Sequence, residues 1–405
     1  MSARIVIIGG GFGGLEAAFS VKGLAGDAAA VTLLDRQEYH SFLPSIHEVS
    51  SGKITCRSIQ IPLETMLAPA GIRYIHDMVT GLDLADRRVA TASGTVDYDY
   101  LVVATGAENH FFGVPGAEEL SFRFRSPDDA VRIHAQLTNL LEEGRKDAHL
   151  VLAGGGTEGV EVAGEVLDLI RDSGREDDLA GGRLSITLIE AQPQLLPGFP
   201  AGVRAFAEHY LRDQGITIIT GQRITRVREG AITLANGAEI PRSMLIWSGG
   251  IKPSLFIDGL RLPKDPAGWI VVTDRLHSPA DDRIYAVGDV VSIQGPDGPL
   301  PLQRLAYHAQ DQAIVAAINI SNDLRGGDRV RYKPRYKPQL ISIGRGMGIY
   351  TEGDVFRTGR WVVGLKKAVE RKHLMSCLSR PLISGVSRRI PGSTFLKRLG
   401  LKLPF

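Results

Sequence analysis

Arg4-Ile5-Val6-Ile7-Ile8-Gly9-Gly10-Gly11-Phe12-Gly13-Gly14 is an apolar run ending in clustered glycines, and it returns 145 residues later as His149-Leu150-Val151-Leu152-Ala153-Gly154-Gly155-Gly156-Thr157-Glu158-Gly159. Each copy contains G-x-G-x-x-G, at Gly9, Gly11, Gly14 and at Gly154, Gly156, Gly159, with Ala18 and Ala163 four positions on. In such a turn the first glycine permits the bend from strand to helix. The second lets backbone approach a pyrophosphate, and the third lets helix pack on strand. Unpaired N–H groups at the helix start then favour an anion. One such match is weak, because any glycine-rich turn satisfies it. Two matches in the same context are stronger: both follow an apolar strand, both open a helix, and both precede a second apolar strand ending in an acid, 31–34 then Asp35 and 186–189 then Glu190. A carboxylate there accepts hydrogen bonds from adenosine ribose hydroxyls and repels a 2′-phosphate, so NADH rather than NADPH is expected at the second turn. The long gap before Glu190 is expected to hold an inserted polar loop at 171–182.

Further landmarks repeat at nearly the same interval. Gly71-Ile72 recurs as Gly215-Ile216, an offset of 144, and Ser93-Gly94 as Asn236-Gly237, an offset of 143. Each half closes with a strand entering small residues, 100–106 and 244–250. Two similar α/β units are therefore expected, each a βαβ motif followed by short strands. Alternation predicts strands over 95–100 and 218–224. Helices are predicted over 15–24 and 160–170, the second placing Val160, Ala163, Val166, Leu167 and Ile170 on one face.

The 405 residues exceed one ordinary core. With 43% hydrophobic and 23% charged residues, the chain has the composition of an ordered globular protein. Its two cysteines, Cys56 and Cys377, form no CxxC or CxxxxC pair, which suggests neither a disulfide framework nor a thiol metal site and fits a reducing compartment. The first strand begins too near Met1 for an export signal, and no run of ~18 apolar residues predicts a spanning helix. From Arg357 onward, twelve basic residues face the single acid Glu370, a net of +11 that leaves −9 for the first 356 residues. A basic tail on an acidic body points to an anionic partner surface.

These motifs resemble the two-dinucleotide-binding-domain, pyridine nucleotide-disulfide oxidoreductase-like flavoproteins. Tyr98-Asp99-Tyr100-Leu101-Val102-Val103-Ala104-Thr105-Gly106 and Ile284-Tyr285-Ala286-Val287-Gly288-Asp289 are similar to that family's second and third flavin signatures. Within it, the chain most resembles the type II, non-proton-pumping NADH:quinone oxidoreductases. That closer likeness rests on Tyr39-His40-x-Phe42-x-Pro44, on Glu161 after Gly159-Val160, on Leu196-Pro197-x-Phe199-Pro200, and on the basic tail. The resemblance implies a glutathione-reductase-like α/β fold of two Rossmann-like domains plus a basic amphipathic C-terminal region. It implies FAD at Gly9, Gly11, Gly14, Asp35, Ala104, Thr105, Gly106 and Asp289, and NADH at Gly154, Gly156, Gly159 and Glu190. Glu161 is expected beside nicotinamide and flavin as the catalytic residue; its alternative is a helix-capping charge. The helix segment that lines the quinone pocket in that family reads Ala306-Tyr307-His308-Ala309-Gln310-Asp311-Gln312 here, departing from it at Tyr307, where a Gln is usual, and at Asp311, where the later Gln falls. Tyr307 and His308 are the tentative quinone contacts.

By the same resemblance, 1–116 and 265–335 form a discontinuous FAD domain, 117–264 the NAD domain, and 336–405 a membrane-association region. The expected activity is hydride transfer from NADH to FAD, then two electrons to a membrane quinone, at the cytoplasmic face of the cell membrane. A soluble ferredoxin or rubredoxin reductase, a sulfide:quinone oxidoreductase and a flavin redox sensor are the competing readings. Disulfide reductase chemistry lacks its cysteine pair, and the cysteine-free stretch 57–376 disfavours sulfide chemistry. Basic residues interleaved with Leu and Phe after Gly364 suit a helix in the headgroup plane. A homodimer contact is the other use of such a tail, and no nucleic-acid motif accompanies it.

Overall fold

Strand Ala3–Ile8 sits at the centre of a five-stranded parallel sheet, with Ala29–Asp35 then Arg73–His76 on one side and Tyr100–Val103 then Ile284–Ala286 on the other. A near-continuous apolar run is what a parallel strand covered on both faces requires, and residues 5–8 are buried. The second sheet repeats this order around Ala148–Ala153, with Leu184–Ile189 and Thr217–Ile219 on one side and Met244–Trp247 and Phe122–Arg123 on the other. Register repeats too: Ile8 pairs with Leu34 and Val103, as Ala153 pairs with Ile189 and Trp247. This computed structural model describes residues 2–142, 147–295, 298–300 and 302–387.

After its third strand each unit carries a small antiparallel sheet, Val79–Asp83, Arg88–Thr91 and Thr95–Asp97 in the first, Ile224–Arg228, Ala231–Leu234 and Glu239–Pro241 in the second. The copies differ in their outermost strand. In the first sheet it comes from 284–286, after the second unit, so the second unit lies within the first along the chain. Strands Ala107–Asn109 and Ile251–Pro253, which lead out and back, pair antiparallel.

Helices Phe12–Ala25 and Thr157–Asp172 follow the two glycine turns. The predicted face of the second, Val160, Ala163, Val166, Leu167 and Ile170, is entirely buried. Three local expectations are corrected. The strand expected over 218–224 is two strands, because Gly221 turns the chain at φ +69° between them. The strand expected over 95–100 divides between two sheets at Asp99, whose carboxylate accepts the Arg4 N–H at 2.7 Å. The loop expected over 171–182 contains helix Glu176–Ala180, its start held by Arg175 bonding to Asp178 and to the Leu141 carbonyl.

The stretch 336–405, expected as one membrane-associating region, is divided. Strands Gln339–Ser342, Gly348–Glu352 and Val355–Thr358 form an antiparallel sheet whose Ile341, Ile343 and Ile349 join the core of the second unit. Helix Arg360–Ser387 then lies along the body. Val362, Lys366, Glu370, His373 and Cys377 point inward, while Trp361, Leu365, Val369, Met375 and Leu378 are exposed. The helix thus turns Lys366, Glu370 and His373 toward the protein beside Val362 and Cys377, and leaves five large apolar side chains exposed. The remaining basic residues of the tail (Arg388, Arg389, Lys397, Arg398, Lys402) and the terminal 395–405 lie outside the described residues. Among the described residues no helix is long and apolar enough to cross a membrane.

Candidate functional site

The two glycine turns have the same geometry. Gly9 and Gly154 take φ of +107° and +108°, which only glycine adopts readily, and their N–H groups donate to Leu34 and Ile189 carbonyls at 2.8 Å in both cases. A Cβ on Gly14 or Gly159 would strike the carbonyl oxygen of Gly9 or Gly154, so each helix packs on its strand at glycine-only distance. Gly11 and Gly156 are different. Both are extended, with φ −71°, and a Cβ there would meet nothing within 4 Å. Neither helix N-terminus has a side-chain cap. Uncapped N–H groups beside open space are what a pyrophosphate would occupy.

The acids complete each turn in the same way. Asp35 accepts the Gly10 N–H and, at 2.8 Å, the Gln37 N–H. Glu190 accepts the Gly155 and Gln192 N–H groups at 2.6 and 2.7 Å. Burial raises the Asp35 pKa, opposed by these backbone donors. Gly10 and Gly155 are also covered from outside. His40 bonds through Nδ1 to the Gly10 carbonyl at 2.9 Å, and the Leu196 N–H donates to the Gly155 carbonyl at 2.8 Å. The segments 39–44 and 196–200 therefore brace the two turns.

Ala104 lies against the first turn, where its carbonyl oxygen would meet a Cβ on Gly9. Beside it, Thr105 Oγ1 is buried without a hydrogen-bond partner among the described residues, an orphan that a bound group at this turn would satisfy. Asp289 lies in the short 3₁₀ turn Gly288–Val290, fixed by the Gln312 side chain accepting the Gly288 N–H at 2.7 Å and by Arg304 donating to the Asp289 carbonyl at 2.9 Å. Arg125 links the units. Its guanidinium donates to Asp289 at 2.7 Å, lies 3.7 Å from Glu158 on the second turn, and donates to the Ala107 carbonyl at 3.2 Å. The start of the second nucleotide helix thereby faces the Asp289 turn. The residues present fit a dinucleotide at each turn.

Glu161 lies one helical turn deeper and is buried. It accepts the Ser342 N–H at 3.0 Å and pairs with Lys366, while His47 Nδ1 stands 3.6 Å away. His47 Nε2 in turn contacts Ser342 Oγ at 3.1 Å and Lys366 Nζ at 3.4 Å. Burial raises the Glu161 pKa against the pull of Lys366. Burial, and then Lys366, drives the His47 pKa far down, so His47 is neutral. This arrangement holds a buried carboxyl of raised pKa beside a fixed cation and a neutral imidazole, a setting able to exchange a proton.

His308 and Tyr307 open helix Ala306–Asp323. His308 shares a cavity with Asp289, Arg304 and Gln312. Its Nδ1 contacts the Tyr332 hydroxyl at 3.0 Å, and its buried Nε2 is unpartnered among the described residues. Tyr307 stacks obliquely on His308 at 4.3 Å and faces Lys337. His308 is thus brought to Asp289. Among the described residues no hydrogen bond or ion pair joins Glu161 to Tyr307 or His308.

Arg125, His47, Ser342 and Lys366 are not singled out by sequence. Lys366 is hidden in the tail's charge count, and Arg125 lies in an ordinary turn. A usable sign is the phase of 361, 365 and 369, which sets those apolar residues about 100° around the helix from Val362, Lys366 and Glu370.

Residues 3–313 match the pyridine nucleotide-disulphide oxidoreductase family. A type II NADH:quinone oxidoreductase of Staphylococcus haemolyticus is 26% identical over 386 residues, covering 91% of this chain and 94% of the relative. The structure of NDH2 from Plasmodium falciparum in complex with NADH superposes with a TM-score of 0.83 at 18% identity, covering 97% of this chain and 99% of that one. The sulfide:quinone oxidoreductase of Aquifex aeolicus superposes with a TM-score of 0.84 at 22% identity, covering 99% and 96%.

Proposed function

Because the chain belongs to the pyridine nucleotide-disulphide oxidoreductase family and is an oxidoreductase, we propose that it is an FAD-dependent NADH dehydrogenase that delivers two electrons to a membrane quinone. The duplicated turn carries this reading: two uncapped helix starts, each with an open second-glycine position and a carboxylate on the neighbouring N–H. In the proposed division, 1–116 with 265–335 holds FAD and 117–264 holds NADH. FAD, when bound, supplies two-electron chemistry between nicotinamide and quinone.

The chain's own residues position and protect. Gly11 and Gly156 admit the phosphates, and Asp35 and Glu190 offer oxygens to the two adenosine riboses. Arg125 fixes the second turn against Asp289, so both ligands are held in one frame; positioning of this kind supplies much of the rate in transfer between bound partners. Glu161, with Lys366 and His47 around it, is the group that exchanges a proton at the acceptor side. Quinone is favoured over a soluble protein acceptor by the outward apolar stripe Trp361, Leu365, Val369, Met375 and Leu378, flanked by Arg371 and Lys372. Such a face suits the headgroup–acyl boundary of an anionic membrane. Quinone headgroups are admitted at the cavity of His308, whose free Nε2 offers a hydrogen bond. Sulfide chemistry is disfavoured because Cys56 and Cys377 are both free and bond locally, to Gln60 and to His373.

Anaerobic addition of NADH to the yellow protein, followed by a short-chain quinone, ferredoxin or sulfide in separate syringes, tests the reading. NADH should bleach the flavin and the quinone should restore it within turnover time. Recovery with ferredoxin and not with quinone would transfer the assignment to a soluble reductase.

A further inference from the structure

Helix Arg360–Ser387 brings a second set of reactive side chains against the first glycine turn, apart from Glu161. His373 and Cys377, one helical turn apart, face His40 on strand Tyr39–Ser41. His40 Nε2 and His373 Nε2 are 3.2 Å apart, Cys377 Sγ and His373 Nε2 are 3.4 Å apart, and all three atoms lie within 4.8 Å of one another. His40 and Cys377 are buried. Phe12 and Phe42 enclose the group, with ring centroids 5.0 Å from that of His373 in both cases.

The tautomer of His40 is set by its surroundings. Nδ1 faces the Gly10 carbonyl at 2.9 Å and must donate to it, which leaves Nε2 with a lone pair directed at His373. A backbone carbonyl on the far nitrogen is the usual support of a metal-binding imidazole. The spacings match as well. Donors ~2.0–2.1 Å (nitrogen) and ~2.3 Å (sulfur) from a tetrahedral ion lie roughly 3.3–3.6 Å apart, close to the 3.2 and 3.4 Å separations through His373. An imidazole pair with one thiol, and no carboxylate or carbonyl among the converging atoms, selects a borderline or soft ion over magnesium or calcium. The cation facing the cluster, Arg380, is paired with Glu16 at 2.6 Å.

We propose that His40 Nε2, His373 Nε2 and Cys377 Sγ form a three-donor site for a single zinc-class ion, fastening the C-terminal helix to the first glycine turn. On binding, the Cys377 thiol releases its proton to solvent and the sulfur–metal bond replaces the S–H bond; no electron is transferred. The fourth tetrahedral position is left to water or an external ligand. The site is independent of the electron acceptor and leaves the two nucleotide turns as described.

Cobalt(II) titration of the flavin-loaded, chelator-treated protein tests this, read in the ligand-field bands to the red of the flavin absorption. Intense tetrahedral bands should saturate at a single ion per chain, zinc should displace them, and zinc should raise the thermal transition. Cys377→Ser and His373→Ala should each abolish the bands while keeping the flavin and its bleaching by NADH, and Cys56→Ser should keep them. Absence of stoichiometric binding to the unaltered protein would overturn the proposal, as would bands that survive in both variants. Loss of bleaching with the bands intact would count against the NADH dehydrogenase reading alone.

Discussion

Lys366 is the cation on which the buried carboxylate of Glu161 depends, and both side chains are nearly sealed from water, at 14% and 11% exposure. Removing one member of such a pair strands the other, at a cost of about 3–5 kcal/mol. Lys366→Met should lower stability by this order in urea unfolding. The pH dependence has a definite sign. Burial raises the Glu161 pKa in the folded chain, so its contribution is greatest at low pH and is lost as pH rises through the folded value. Without Lys366 the pKa rises further, so the deficit of the variant should widen toward alkaline pH and narrow toward acid. A deficit independent of pH would show that Lys366 acts by packing alone. Glu190 makes a second test at this scale. Glu190→Ala leaves the Gly155 and Gln192 N–H groups without their acceptor, a loss of about 1–3 kcal/mol. Steady-state kinetics should show a raised KM for NADH and a smaller preference over NADPH, with kcat changed less.

The C-terminal helix is the element whose character the sequence conceals. Its apolar residues Leu365 and Val369 face outward while Lys366 and Lys367 turn toward the protein, so a charge count reads Lys366 and Lys367 as surface groups although they pair with Glu161 and Glu48. Leu365→Glu with Val369→Glu should abolish co-sedimentation with anionic vesicles and leave NADH bleaching and thermal stability unchanged, because both side chains are already exposed. Persistent sedimentation would assign that face to another partner. The nucleotide helices and central strands, by contrast, were readable, since the apolar period, the glycine spacing and the terminal acid all state one local geometry. Strand 218–224 was misread because its alternation continues through Gly221, where a left-handed turn overrides it. The 171–182 segment reads as a loop because its helix is short and is tied to the body through Arg175 by the Leu141 carbonyl, 34 residues away. Arg125 and His47 acquire their meaning only from contacts more than a hundred residues away, with Asp289 and Glu161. No local pattern encodes such partners.

At the scale of the molecule, one βαβ design occurs twice, the second copy lying within the first along the chain, with the connecting strands paired and Arg125 joining the two sites. The copies agree in strand order, register, glycine geometry and acid placement, yet one is proposed to retain its ligand and the other to exchange it. The open positions at Gly11 and Gly156 separate binding from folding, because a Cβ added there meets no protein atom within 4 Å. The most direct measurement is anaerobic stopped-flow of flavin absorbance on mixing with NADH, for the unaltered protein, Gly11→Val and Gly156→Val, with melting temperatures in parallel. Gly156→Val should melt with the unaltered protein, and Gly11→Val with the unaltered protein freed of its flavin, whose binding adds to the stability of the folded state. Gly11→Val should purify colourless, and Gly156→Val should stay yellow but need at least tenfold more NADH to bleach at half the maximal rate. A yellow Gly11→Val, or a Gly156→Val that bleaches as the unaltered protein does, would contradict the assignment of a dinucleotide to each turn.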